Sequence, residues 1–252
     1  MNDNNRSSTT VGSFKFMTVT VSLTLAKETE FFNEKVINKI YKEITTTADI
    51  INATGGSPER EAYQSLLPHY TKESTGQITA GGRHTPFLYF FPVSDLTTFI
   101  IKPYHAGLRE IANHYVAVED VNTIYRNHKF KLGDKEIKII FSDVFGLGTF
   151  TVEQKTIPFI VQRYSNGTKL TEVKTKEARL IISFLPKIFM HLAKEGVIVD
   201  PYNRNWFAHG FSLDHRRLDY ELLEYVDLGF MHSLDTNHKV QAIIESLKPL
   251  NF

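Results

Sequence analysis

The chain has 252 residues, 42% hydrophobic and 23% charged, with a formal net charge of +1; that balance suits a globular core and excludes a general electrostatic hold on nucleic acid or an acidic membrane surface. It contains no cysteine, which excludes disulfides, zinc–thiolate sites and a cysteine nucleophile and fits a reducing compartment. A cytoplasmic location is the expectation, because no stretch approaches the roughly 20 apolar residues of a membrane span and the first residues lack a basic start before an unbroken apolar run.

The first 12 residues (MNDNNRSSTTVG) are polar and aperiodic, which predicts a disordered tail. Thr and Val alternate in FKFMTVTVSLTL, the pattern of a strand. From Ala26 to Ile51, the residues Phe31, Phe32, Val36, Ile37, Ile40 and Tyr41 recur at helical spacing, and a short helix is expected after the break ATGGSP, over Glu59–Leu67. Residues 13–74 therefore read as a mostly helical N-terminal extension. PFLYFFPV and LTTFIIK, divided by Ser94-Asp95, predict a hairpin. A helix from Gly107 to Arg126 and two strands in KEIKIIFSDV and TIPFIVQRY come next, with Gly146-Leu147-Gly148 expected as a turn between strands.

Residues 75–166 are thus β-rich, and 167–252 are mainly helical. In the latter, KEARLIISFLPKIFMHLAKEG is apolar on nearly every face, which predicts a buried helix stopped at Gly196. Short strands around Trp206–Phe207 and Tyr220–Val226, and a helix from Asn237 to Leu247, complete an α+β protein. Of ten histidines, none has the spacing of a zinc helix, and Ser74, Ser165 and Ser212 lack the setting of a hydrolytic nucleophile.

The chemistry is expected in VIVDPYNRNWF and EYVDLGF, residues 197–207 and 224–230. Asp200 follows the apolar helix, Asn205 lies five residues on, a strand pair intervenes, and Asp227-Leu228-Gly229 closes the series. Carboxylate and amide oxygens are hard ligands that suit Mg²⁺ and leave room for phosphate. A further carboxylate outside the metal shell can take a hydroxyl proton. The order and spacing resemble the catalytic loop and metal-binding triplet of the protein-kinase-like superfamily, with Leu228 where the triplet usually has Phe.

That resemblance implies a two-lobed kinase-like fold, with Asp200 as base and Asn205 and Asp227 as metal ligands. It also implies that Lys102, after the apolar run in TTFIIKP, grips the nucleotide phosphates. Its helix partner would be Glu119, preferred to Glu110 and Asp120. Gly81 and Gly82, with Gly76 before them, are candidates for a phosphate lid, although the usual glycine spacing is absent. Gln162, Arg163 and Tyr164 would form the hinge that meets the base. Ile198 and Val199 replace the His-Arg that usually precedes the base, and only 23 residues follow Gly229. The resemblance therefore implies a reduced ATP- and Mg²⁺-dependent phosphotransferase acting on a small acceptor. A nucleotide-binding pseudokinase scaffold and a partner-binding protein without catalysis remain as alternatives.

Overall fold

The computed structural model describes residues 19–25, 34–57, 59–64, 66, 76–81, 84–95, 97–125, 128–132, 135–172, 176–200, 202–211, 218–226, 232–233 and 237–249. The β-branched run VTVSLTL forms β1 (Val19–Leu25). Helix α1 (Glu34–Ala53) buries Ile40, Ile44, Ile50 and Ile51, and the short α2 (Arg60–Gln64) comes after it. Then come β2 (Gln77–Ala80), β3 (Phe87–Ser94) and β4 (Thr97–Pro103), the expected hairpin being β3–β4. Helix α3 (Leu108–Tyr125) leads to β5 (Lys129–Leu132), β6 (Lys135–Phe141), β7 (Val144–Val152) and β8 (Lys155–Arg163).

The remaining elements are β9 (Thr168–Lys169), a 3-10 turn (Leu170–Glu172), α4 (Lys176–Lys194), β10 (Val197–Ile198), a second 3-10 turn (Asn203–Asn205), β11 (Trp206–Phe211), β12 (Leu218–Tyr225), β13 (His232–Ser233), α5 (Asn237–Glu245) and β14 (Lys248–Pro249). The chain is a mixed α+β protein, and among the described residues no helix is long and apolar enough to cross a membrane.

Seven strands form an antiparallel sheet in the order β14-β1-β7-β8-β4-β3-β2, so the N-terminal strand lies inside it. Its two faces are covered differently. Phe145, Phe150, Ile157, Phe159 and Val161 join Ile40, Ile44 and Ile51 of α1 in one core. The alternate residues Leu147 and Ile160 join Val116, Val121, Trp206 and Tyr225 in another. Period-two alternation makes β8 serve both cores, and in β7 a register shift between Val144 and Gly146 adds to it, putting Phe145 and Leu147 on opposite faces.

A second sheet, β5-β6-β12-β11-β9, contains the parallel pair β6–β12. Asn122 of α3 clamps its end: the amide donates to the Phe141 carbonyl and accepts from the Phe141 N–H, each at 3.1 Å. Ser142 then donates its N–H to the Tyr225 carbonyl at 2.9 Å.

Two expectations are corrected. Gly146-Leu147-Gly148 is not a turn but lies within β7, and a Cβ on Gly148 would come within 2.3 Å of Cζ of Phe159. The glycine marks close ring packing across the strand pair. Helix α4 is not buried all round, since Leu180 and Met190 are 52% and 61% exposed.

Candidate functional site

The site begins where α4 ends. Gly196, at φ +80°, turns the chain out of the helix, and β10 delivers it to Asp200. The Asp200 N–H donates to the hydroxyl of fully buried Tyr225 at 3.1 Å. The second 3-10 turn folds the loop back, with the Asn205 N–H on the Tyr202 carbonyl at 3.1 Å. This brings the Asn205 amide to the Asp200 carboxylate, Nδ2 donating to Oδ2 at 3.2 Å. Trp206 lies beneath the loop, fully buried, its ring 5.1 Å from that of Tyr225.

Asn205 is also tied to the strand that ends at Asp227. Its carbonyl accepts the Val226 N–H at 3.0 Å. The carbonyl of Val226 in turn accepts two side chains from the larger sheet: the Lys102 ammonium at 3.3 Å and the Gln162 amide at 3.0 Å. Lys102 and Gln162 stand on one face because Lys102 pairs with Ile160 and Ile100 with Gln162. Lys102, Gln162, Val226, Asn205 and Asp200 therefore form one hydrogen-bonded chain, although 124 residues separate Lys102 from Val226. A half-buried ammonium at the end of an apolar strand requires such acceptors. Asp227 follows Val226 directly in sequence and lies outside the described residues, as does Gly82.

The other expected residues are placed as follows. Gly81 is buried, with its N–H on the Pro86 carbonyl at 3.2 Å, and a Cβ there would fall 1.7 Å from the Thr85 carbonyl oxygen. The same loop meets the chain just beyond Lys102, through the His105 N–H and the His84 carbonyl at 2.9 Å. Arg163 and Tyr164 follow Gln162 at the end of β8, but their N–H groups are bonded to the Asp143 and Thr98 carbonyls. Glu119 is exposed on α3, and its charge acts on Tyr115 one turn earlier. Burial foremost, then Glu119, raises the Tyr115 hydroxyl above its ordinary range.

A polar cluster beside these residues was not anticipated. Glu224, almost fully buried on β12, accepts from Nε2 of His209 on β11 at 2.7 Å. The Ser165 hydroxyl, just past β8, lies 3.3 Å from the same ring nitrogen. Burial pushes the Glu224 carboxyl up, but hydrogen bonds from His209, Ser165 and Ser142 and the charge of Arg163 outweigh it and leave it below the ordinary range. Ser165 and Glu224 share one nitrogen of His209, so this is not the relay of a hydrolase, in which acid and nucleophile take opposite sides of the ring. The available signal was an acid inside the apolar strand LLEYV.

The oxygen-only set of Asp200 and Asn205 suits Mg²⁺. With Nδ2 of Asn205 donating to Asp200, Oδ1 is the oxygen the amide would have left to hold a metal. Among the described residues no three His, Asp or Glu side chains gather to hold a metal. No family model matches the chain, and no curated protein is significantly similar to it. Function must therefore be read from the geometry.

Proposed function

We propose that this protein is an ATP- and Mg²⁺-dependent phosphotransferase of two-lobed, kinase-like architecture, acting in the cytoplasm on a small hydroxyl or amine acceptor. One observation carries the proposal: Lys102 reaches from the seven-stranded sheet to the carbonyl of Val226, the residue before Asp227 in sequence, and Val226 is bonded to Asn205, whose amide holds Asp200. Sequence order alone does not require residues 102, 200, 205 and 226 to meet.

In this reading the Lys102 ammonium and the carbonyl of Val226 set the distance between the phosphate-holding strand and the metal-binding segment. Asn205, with Asp227, would hold Mg²⁺, which when bound supplies neutralisation of the phosphate oxygens. Asp200, oriented by Asn205 and Tyr225, takes the acceptor's proton as the acceptor atom bonds the γ-phosphorus and the bond to ADP breaks. Fixing these groups in a shared frame supplies alignment, the larger part of what phosphoryl transfer asks of a protein.

The test measures melting temperature and ADP release with millimolar Mg-ATP. A ligand at about 100 times its dissociation constant stabilises the native state by about 2.7 kcal/mol, so a rise in Tm is expected, and Lys102→Met should diminish it. An unchanged Tm in the wild-type protein overturns the proposal.

A further inference from the structure

The loop between the proposed base and Asn205 carries two exposed side chains that have no part in the phosphotransfer chemistry above. Tyr202 is 58% exposed, and the guanidinium of Arg204 lies over its ring, 4.8 Å from the centroid. Tyr202 is tied to the site by backbone, since the Asn205 N–H binds its carbonyl and Asn205 binds Asp200, and Arg204 directly precedes Asn205. An arginine is commonly held by an acid, as Arg163 is by Asp143 at 3.3 Å. Arg204 has no acidic partner among the described residues. The nearest turn, Leu170–Glu172, packs against the loop, but the Glu172 carboxylate is taken by Lys169 at 3.3 Å.

A guanidinium held over an aromatic ring makes no hydrogen bond to it, so its N–H groups are kept for a second partner, and their fork matches a carboxylate or phosphate. Its place on the loop that the Asn205–Asp200 hydrogen bond folds back also answers an electrostatic problem. An anionic acceptor approaching a carboxylate and a triphosphate is repelled by both, and a cation on the same loop as that carboxylate offsets the repulsion. A neutral acceptor would gain nothing from it.

Resting on the phosphotransferase reading, we propose that Arg204, supported by Tyr202, selects an acceptor that carries a carboxylate or phosphate close to the hydroxyl or amine that is phosphorylated. Arg204 contacts that anion and Tyr202 is a positioning residue.

The test follows ADP release by the full chain with Mg-ATP and paired acceptors: glycerate against glycerol, glucose 6-phosphate against glucose, and a serine peptide with acidic flanks against one with neutral flanks. The first two pairs report a small acceptor, the third a peptide. Anionic members should be preferred. Arg204→Gln should lower the anionic-over-neutral ratio of kcat/KM at least tenfold through the acceptor's KM, Arg204→Lys should restore part of it, and Tyr202→Leu should give an intermediate loss. Preference for neutral members, no stimulation by any anionic compound, or an unchanged ratio in Arg204→Gln overturns the proposal. If Mg-ATP neither raises Tm nor is turned over, the phosphotransferase reading itself fails and this proposal falls with it.

Discussion

The two faces of the seven-stranded sheet are built from the same strands yet do different things. Toward α1 the strands present Phe145, Phe150, Phe159 and Val161, with Phe150 and Phe159 stacked 4.2 Å apart. A polar interruption there, Glu43, is satisfied by Tyr89 and by Lys39 at the edge of the core. Toward α3 the same strands present Ile160 and Leu147, and then, at the next positions, Lys102 and Gln162 reaching to Val226. One face is for cohesion and the other carries polar reach. A period of two lets a nine-residue strand such as β8 hold both assignments without conflict.

This contrast can be broken by mutation. The largest effect is expected on the cohesive face: Phe159→Ala should cost about 3–5 kcal/mol of stability, read by denaturant unfolding, while the upward Tm shift given by Mg-ATP persists. At the loop that the other face reaches through Val226, Asp200→Asn should lower turnover by about 10²–10⁴-fold with little change in unfolding free energy; a loss of stability comparable to that of Phe159→Ala would remove the distinction. Gly148→Ala places a methyl against the Phe159 ring and should cost about 1–3 kcal/mol through overpacking, again without abolishing the ATP-induced shift.

The smallest expected effect is a pH dependence. The Glu224 pKa is held below its ordinary value in the fold, so its contribution is present above the unfolded carboxyl pKa, about 4.3, and is lost as pH falls through the folded value. The stability difference between wild type and Glu224→Gln should therefore shrink on acidification from neutral pH through the carboxyl range. A difference independent of pH would mean that Glu224 acts through packing alone.

Much of the fold is legible in the sequence because its elements announce themselves locally. The hairpin β3–β4, helix α3, strand β8 and helix α5 stand close to where periodicity and turn residues put them. β7 is hidden for a tertiary reason: its two glycines look like punctuation, yet Gly148 is required by the Phe159 ring across the pair. β5 is only four residues long, too short for alternation to mark it.

In the site, the spacing of Asp200 and Asn205 is visible in the sequence, and their hydrogen bond follows from a one-turn loop. That Gln162 meets Val226 by its side chain is not visible there, since it depends on strand pairing at residues 100 and 162. His209 and Ser165 belong to no sequence motif. They come together with Glu224 only through the β11–β12 register and the end of β8, information that exists after folding.

The short pairing of β14 with β1, Ser22 to Pro249 and Leu23 to Lys248, with Ser246 donating to the Thr24 hydroxyl at 2.9 Å, has a temporal consequence. During synthesis β1 keeps this edge unpaired until residues more than two hundred positions further along the chain have emerged. During that interval its amides and carbonyls are open to mispairing. Ribosome-bound fragments halted before position 248 should therefore expose that edge, which Lys248 and Pro249 cover.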